Sequence, residues 1–179
     1  MALRKALAYS KRKSRPYTRK SSVKSKSYIK TIPQQKIVKF KMGNIQDYEK
    51  GNFKIILKAV SSEKVLVRDN ALESARQLIH KDLDTQIPGQ YYFEVRVFPH
   101  HILRENKVLT GAGADRMQTG MAHSFGVTVG RAAMIKENQD IFLIAINSEK
   151  ARKITFDSLR KIKAKLPCHT RVVIEKFGK

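Results

Sequence analysis

An α+β domain, two layers deep, with a mostly antiparallel or mixed sheet and two helices, is the fold class the sequence predicts. Three observations predict it. Strand-like alternation recurs in short blocks from residue 36 to residue 176; only two stretches, near residues 70–83 and 149–166, place apolar residues at helical spacing; and 41% apolar residues in a chain of 179 suffice for a core. Two helices against five to seven strands are too few for a fully alternating parallel sheet, so the elements segregate into layers. To this domain the sequence adds a basic, extended N-terminal arm and a long Gly-rich loop.

From Met1 to Lys30 apolar residues are sparse, serines frequent, and neither period is sustained, so this arm cannot bury enough surface to fold alone. The organisation expected is therefore an arm over residues 1–35 and a folded domain over residues 36–179. Lys36 to Phe40 alternates and reads as the first strand; Asn52 to Val60 is rich in β-formers and reads as the second. After a short apolar stretch, Val65 to Val67, Asn70 and Glu73 make a capping-box-like start to a helix running to about Leu83, with Leu72, Ala75, Leu78, Ile79 and Leu83 on its apolar face. Pro88 and Gly89 break the chain before a half-buried strand from Tyr91 to Phe98, which Pro99 stops. Val127 to Ile135 and Asp140 to Asn147 are strands, the second apolar on both faces and hence central. Ser148 caps a second helix whose apolar face is Ala151, Ile154, Leu159, Ile162 and Leu166; Pro167 ends it, and Thr170 to Lys176 closes the fold as a strand.

Charge narrows the function. The net charge is +22, from 37 Lys and Arg against 15 Asp and Glu, and 14 of those bases precede the first acid, Asp47. Such an excess repels itself unless a polyanion neutralises it, which makes nucleic acid the first candidate partner. No apolar run approaches spanning length, and Arg4 and Lys5 interrupt the start too early for a signal peptide, so a soluble, uncleaved cytoplasmic chain with no membrane partner is expected. Cys168 stands alone, which excludes an internal disulfide and a multi-cysteine zinc site. Arg12, Arg15 and Arg19 suit bidentate phosphate contacts, while the interleaved Tyr9, Tyr17 and Tyr28 offer rings on which bases stack.

Residues 106–126 lack periodicity and hold Gly111, Gly113, Gly120 and Gly126 beside Arg116 and His123. A loop this long in a compact domain is uncommon unless functional, although a solvated connector stays open at this point. It is no nucleotide cradle: Arg116 occupies the place of the third fingerprint glycine, and no Gly-Lys-Ser or Gly-Lys-Thr follows. It can present backbone N–H groups, the Arg116 guanidinium and the Gln118 amide to RNA. His100 and His101 are adjacent, so on a strand they face opposite ways, and no carboxylate or cysteine sits at ligand spacing; a metal is not expected. Beside Arg104 and Lys107 they read as RNA-facing surface, with a core histidine as the alternative for one of the two. Asp115 and Ser124 lack any assignable catalytic partner, so no catalytic residue, cofactor or small-molecule substrate is expected.

Several strings carry a family resemblance: Arg15-Pro16-Tyr17-Thr18-Arg19-Lys20, Lys36-Ile37-Val38-Lys39-Phe40, Arg68 to Arg76, Pro99 to Lys107, and above all Gly111-Ala112-Gly113-Ala114-Asp115-Arg116-Met117-Gln118-Thr119-Gly120-Met121. In these the chain resembles the archaeal and eukaryotic ribosomal protein family called L ten e, counterpart of bacterial L sixteen. The resemblance implies a structural protein of the large ribosomal subunit, noncatalytic, seated on 23S-type rRNA near the central protuberance and peptidyl transferase region. Neighbours there would include other ribosomal proteins and the 5S rRNA vicinity. Charge and residue type make Arg4, Arg12, Arg15, Tyr17, Arg19, Lys20, Lys36, Lys39, His100, His101, Arg104 and Lys107 the expected rRNA-binding residues, and the resemblance implies that the arm threads RNA and that the loop, Gly111 to Met121, reaches toward the tRNA acceptor arm. The chain ending at Lys179 looks archaeal rather than eukaryotic. The start of the arm and Ser21 to Ser27 depart from the family pattern, and Val127 stands where a lysine is usual.

Overall fold

The computed structural model describes residues 5, 6, 9, 29, 31–105 and 126–176. Its elements run β1 (Lys41–Gly43), α1 (Ile45–Glu49), β2 (Ile55–Ser61), β3 (Val65–Arg68), α2 (Asp69–Gln86), β4 (Tyr91–Val95), β5 (His101–Glu105), β6 (Val127–Ile135), β7 (Asp140–Ile146), α3 (Glu149–Lys161), a 3-10 turn (Ile162–Ala164) and β8 (Thr170–Lys176). The α+β class is as expected. Among the described residues every strand pairing is antiparallel, and the strands divide into two sheets, ordered β1-β4-β7-β2-β8 and β3-β6-β5.

β7 explains why its sequence is apolar throughout. It is the middle strand of the five, and alternate residues feed two clusters: Phe142, Ile144 and Ile146 face the main core under the helices, whereas Leu143 and Ala145 face a smaller cluster with Phe53, Ile56 and Tyr92. The main core takes Leu72, Ala75, Ile79 and Leu83 from α2 and Ala151 and Leu159 from α3. Those α2 positions recur every three or four residues, so one stripe of the helix is buried against the sheet while its other face stays wet. α1 covers the second face of the five-stranded sheet, stacking Tyr48 on Tyr92 with ring centroids 3.9 Å apart.

Four local expectations change. Residues 36–40 form no ladder. The chain there is held mainly by side chains instead: Lys36 N–H donates to Asp69 Oδ2 (3.2 Å) and Val38 N–H to Glu73 Oε2 (3.4 Å); the Phe40 carbonyl takes one backbone bond from Val95 N–H, and residue pairing begins only at Lys41. The Asn70 and Glu73 capping box is not made, because α2 starts at Asp69 and puts Glu73 past the position from which it would reach back. The strand from Tyr91 leaves its ladder at Val95, short of Phe98. α3 tightens into the 3-10 turn at Ile162, so Leu166 is buried beyond the helix rather than on its last turn. The Ser148 cap does form, its hydroxyl accepting from Lys150 N–H at 3.3 Å. No helix among the described residues is long and apolar enough to cross a membrane.

Candidate nucleic-acid interface

Among the described residues, three groups of exposed cations lie on surfaces that the fold has pinned. Residues 31–40 are fastened along the domain at four places: by Asp69 and Glu73, by Arg131, whose Nε–H donates to the Pro33 carbonyl (2.7 Å), and by Val95 N–H, which donates to the Phe40 carbonyl (2.8 Å). Ile37 is buried between these fastenings, while Lys36 and Lys39 point into solvent and Val38 is 73% exposed. The anchoring acids differ in character. Burial pushes the Asp69 carboxyl above its ordinary value, against the lowering effect of the Asn70 and Lys36 N–H groups. Burial acts the same way on Glu73, but hydrogen bonds from Arg76 and Gln77 outweigh it and hold that carboxyl below its ordinary value. Arg76 grips Glu73 with both Nε (2.7 Å) and Nη2 (2.6 Å), a forked pair at the foot of the extended segment.

The next strand supplies a second surface. Arg96, Phe98 and His100 share the outward phase beyond the end of β4, and His101 turns inward as β5 begins, only 4% exposed. The adjacent histidines thus divide, one outside and one inside; of the two, His100 is the one solvent reaches. Arg104 is half-buried on β5.

α3 supplies the third. Its apolar stripe is spent on the core, so Lys150, Lys153 and Arg160 face outward, with Lys163 and Lys165 just beyond. Two of its bases are matched to acids, Arg152 to Glu149 (2.6 Å) and Lys161 to Asp82 (2.7 Å). Among the described residues Lys36, Lys39, Lys150, Lys153, Arg160, Lys163 and Lys165 make no ion pair, which leaves their charge available to a polyanion.

Tyr9 corrects the sequence reading of the arm. Rather than offering its ring to a base, it is 4% exposed, packed with Leu66, Leu103 and Ala132 of the three-stranded sheet, with the Arg68 guanidinium 5.3 Å from its ring centroid. Ile29 is buried too. Neither anchor stands out in the sequence, because a single apolar residue in a basic stretch carries no periodicity. Arg4, Arg12, Arg15, Tyr17, Arg19, Lys20, Lys107 and the loop from Gly111 to Met121 lie outside the described residues.

No group of three metal-ligating side chains occurs among the described residues. Cys168 is buried, and burial pushes its thiol upward, away from the reactive thiolate.

A pinned basic surface on an antiparallel α+β domain narrows the class without naming it; comparison with known families decides. The family model described as Ribosomal protein L16p/L10e matches residues 12–173. The chain belongs to this ribosomal protein family. Three relatives indicate how far the L16p/L10e likeness extends. The large ribosomal subunit protein uL16 of Methanococcus maripaludis is 41% identical over 177 residues, covering 98% of this chain and 96% of that one. Its counterpart in Hyperthermus butylicus is 40% identical over 178 residues, 96% of this chain and 93% of the other. That of Thermofilum pendens is 40% identical over 176 residues, 98% of each. The L16p/L10e match begins at Arg12 and so takes in most of the basic arm as well as the domain.

Proposed function

We propose that this chain is a structural, noncatalytic constituent of the large ribosomal subunit in the cytoplasm, that it binds large-subunit rRNA near the central protuberance and peptidyl transferase region, and that it helps position tRNA. The observation that carries the reading is the match, over nearly its whole length, to large-subunit proteins of three archaeal organisms. Supporting it are the net charge of +22 and, among the described residues, the exposed cations of residues 36–39 and α3 that make no ion pair, Lys39, Lys150, Lys153 and Arg160 among them. In this reading the basic arm, residues 1–35, reaches rRNA from anchor points on the domain at Tyr9 and Pro33, and residues 36–179 form the seat. Arg4, Arg12, Arg15, Arg19, Lys20, Lys36, Lys39, Arg104 and Lys107 meet phosphates; Tyr17 and His100 meet bases. The glycine-rich loop, Gly111 to Met121, approaches the tRNA acceptor arm through backbone N–H groups and Arg116. Partners are large-subunit rRNA, the 5S rRNA vicinity, tRNA and neighbouring ribosomal proteins.

Sedimentation of a native lysate through sucrose at moderate and high salt, with this chain followed by mass spectrometry, tests the assignment. Stoichiometric migration with the mature large subunit is expected; recovery elsewhere would remove it. Replacement of the chromosomal copy by Arg116→Ala then tests the loop. Subunits carrying the variant should bind tRNA more weakly while the purified variant melts as the parent does, because a glycine-rich segment without apolar periodicity is expected to contribute little to a core. Equal losses of stability and tRNA binding would sink the loop's assignment.

A further inference from the structure

We propose that Phe98 and His100 form a preorganised platform on which one unpaired base of RNA stacks. The proposal deepens the rRNA-binding reading and rests on it. Three rings touch in succession: Phe40 and Phe98 are stacked with centroids 5.4 Å apart and planes 20° apart, and His100 leans against Phe98 at 4.5 Å with its plane tilted by 44°. The row ends in solvent, with Phe98 38% exposed and His100 exposed beyond it. An aromatic residue that far out of a core, at the open end of a row of rings, leaves a stacking surface uncovered.

Local structure fixes the geometry. Pro99 is buried and holds its φ by its ring, and His100 N–H donates to the Phe98 carbonyl (3.0 Å), closing a three-residue turn that sets the two outward rings side by side. Phe40 is held from behind by its own carbonyl, bonded to Val95 N–H. Little conformational entropy remains to be lost when a ligand arrives. The surroundings select the ligand: Lys39 precedes Phe40, Arg96 shares the outward phase with Phe98, and both cations are exposed, so the apolar rings sit among positive charges. A flat anionic polymer with exposed bases satisfies both features, the base lying on the rings while its phosphates meet Lys39 and Arg96. An apolar protein surface would have to bury Lys39, which makes no ion pair among the described residues, together with Arg96, whose Glu94 partner lies 3.4 Å away.

The chain contains no tryptophan, so His100→Trp installs a lone indole at the open end of the row. With the full-length protein, two labelled probes of equal phosphate number are compared: a single-stranded mixed-sequence RNA and an abasic oligomer. Binding is read by anisotropy and stacking by indole emission. Expected is quenching by the base-bearing RNA and none by the abasic one. In the otherwise unaltered chain, Phe98→Ala should weaken binding of the base-bearing RNA alone, by about tenfold, with the salt dependence unchanged because no charge is lost. Phe98→Tyr should restore it. Saturating RNA that leaves the emission unchanged overturns the platform while leaving RNA binding itself intact. Failure to bind either probe overturns the platform together with the rRNA reading. An emission change seen only in assembled subunits, with position 100 cross-linking to a neighbouring protein, assigns the surface to protein and likewise overturns it.

Discussion

Gly43 shows how much one residue can fix. It has φ +83°, and a Cβ placed there would collide with the Tyr91 carbonyl oxygen, the same oxygen that accepts Asn44 N–H at 2.8 Å. Gly43→Ala combines left-handed strain with a backbone clash at the β1–β4 seam, so it should cost about 2 kcal/mol and lower the melting temperature by roughly 6 °C in calorimetry. An unchanged melting point would mean that β1 contributes nothing to the cooperative unit. Glu73 gives a prediction that depends on pH. Its carboxyl is held below its ordinary value of 4.5, so the folded state binds its proton less readily than the unfolded chain does. Its contribution is therefore present above pH 4.5 and lost as pH falls through the lower, folded value. Asp69 runs the other way: raised by burial above 3.8, it favours the folded state below that pH and ceases to as pH rises through the folded value. Glu73→Gln should accordingly destabilise at pH 7, by about 2 kcal/mol since Arg76 is left half-buried beside a neutral partner, and the difference from the parent should shrink toward pH 3. Denaturant titrations at the two pH values measure it; a deficit that persists at pH 3 would show that shape, not charge, holds the pair. At this scale the sequence is only partly legible. That His100 and His101 face opposite ways follows from strand geometry, whereas Tyr9's burial and the capture of residues 36–38 by Asp69 and Glu73 are long-range contacts with no local signature.

Elements are more readable than their edges, and for a physical reason. Periodicity is a property of several residues, so α2, β6, β7, α3 and β8 all stand where spacing places them, β6 and β8 over the same residues. Edges depend on single hydrogen bonds, which is why extended segments such as 36–40 and 96–98 read as strand but lie off the ladder. Val65 to Val67 is too short to identify by pattern and forms β3, buried as the edge of the second sheet. α3 allows a test at the scale of an element. Its core stripe and its cationic face are separate, so neutralising the face should leave folding alone: Lys150, Lys153 and Lys163 each replaced by Gln should shift the melting point by no more than a few degrees. If the face meets RNA, the same triple variant should lower the slope of log affinity against log salt by about 0.7 to 0.9 for every phosphate contact removed. A slope equal to the parent's would clear α3 of RNA contact and leave residues 36–39 and the arm as the binding surface.

The division into two sheets belongs to the whole molecule and cannot be read from strand patterns, because nothing in the short runs of β3 and β5 says which strand each will join; only pairing tells the sheets apart. Net charge, by contrast, is fully legible, and it makes a prediction that no single residue does. With +22 on the chain and, among the described residues, scattered surface ion pairs such as Lys58 with Glu175 and Lys161 with Asp82, repulsion among like charges outweighs attraction, since exposed pairs contribute about 0 to 1 kcal/mol each. A domain of this length has a radius of gyration of roughly 15 Å. Charges on opposite sides of it therefore interact at about 10 mM salt, where the screening length is about 30 Å, and are shielded at about 150 mM, where it is about 8 Å. The isolated chain should melt several degrees higher at the higher salt. A protein held together by its surface ion pairs would do the reverse. Saturating RNA at low salt should raise the melting point further than salt does, because it supplies both counter-charge and preferential binding to the folded state. A melting temperature that fell on adding salt would show that the attractive pairs dominate after all, and that the excess charge is spread too thinly to make the free chain depend on a polyanion.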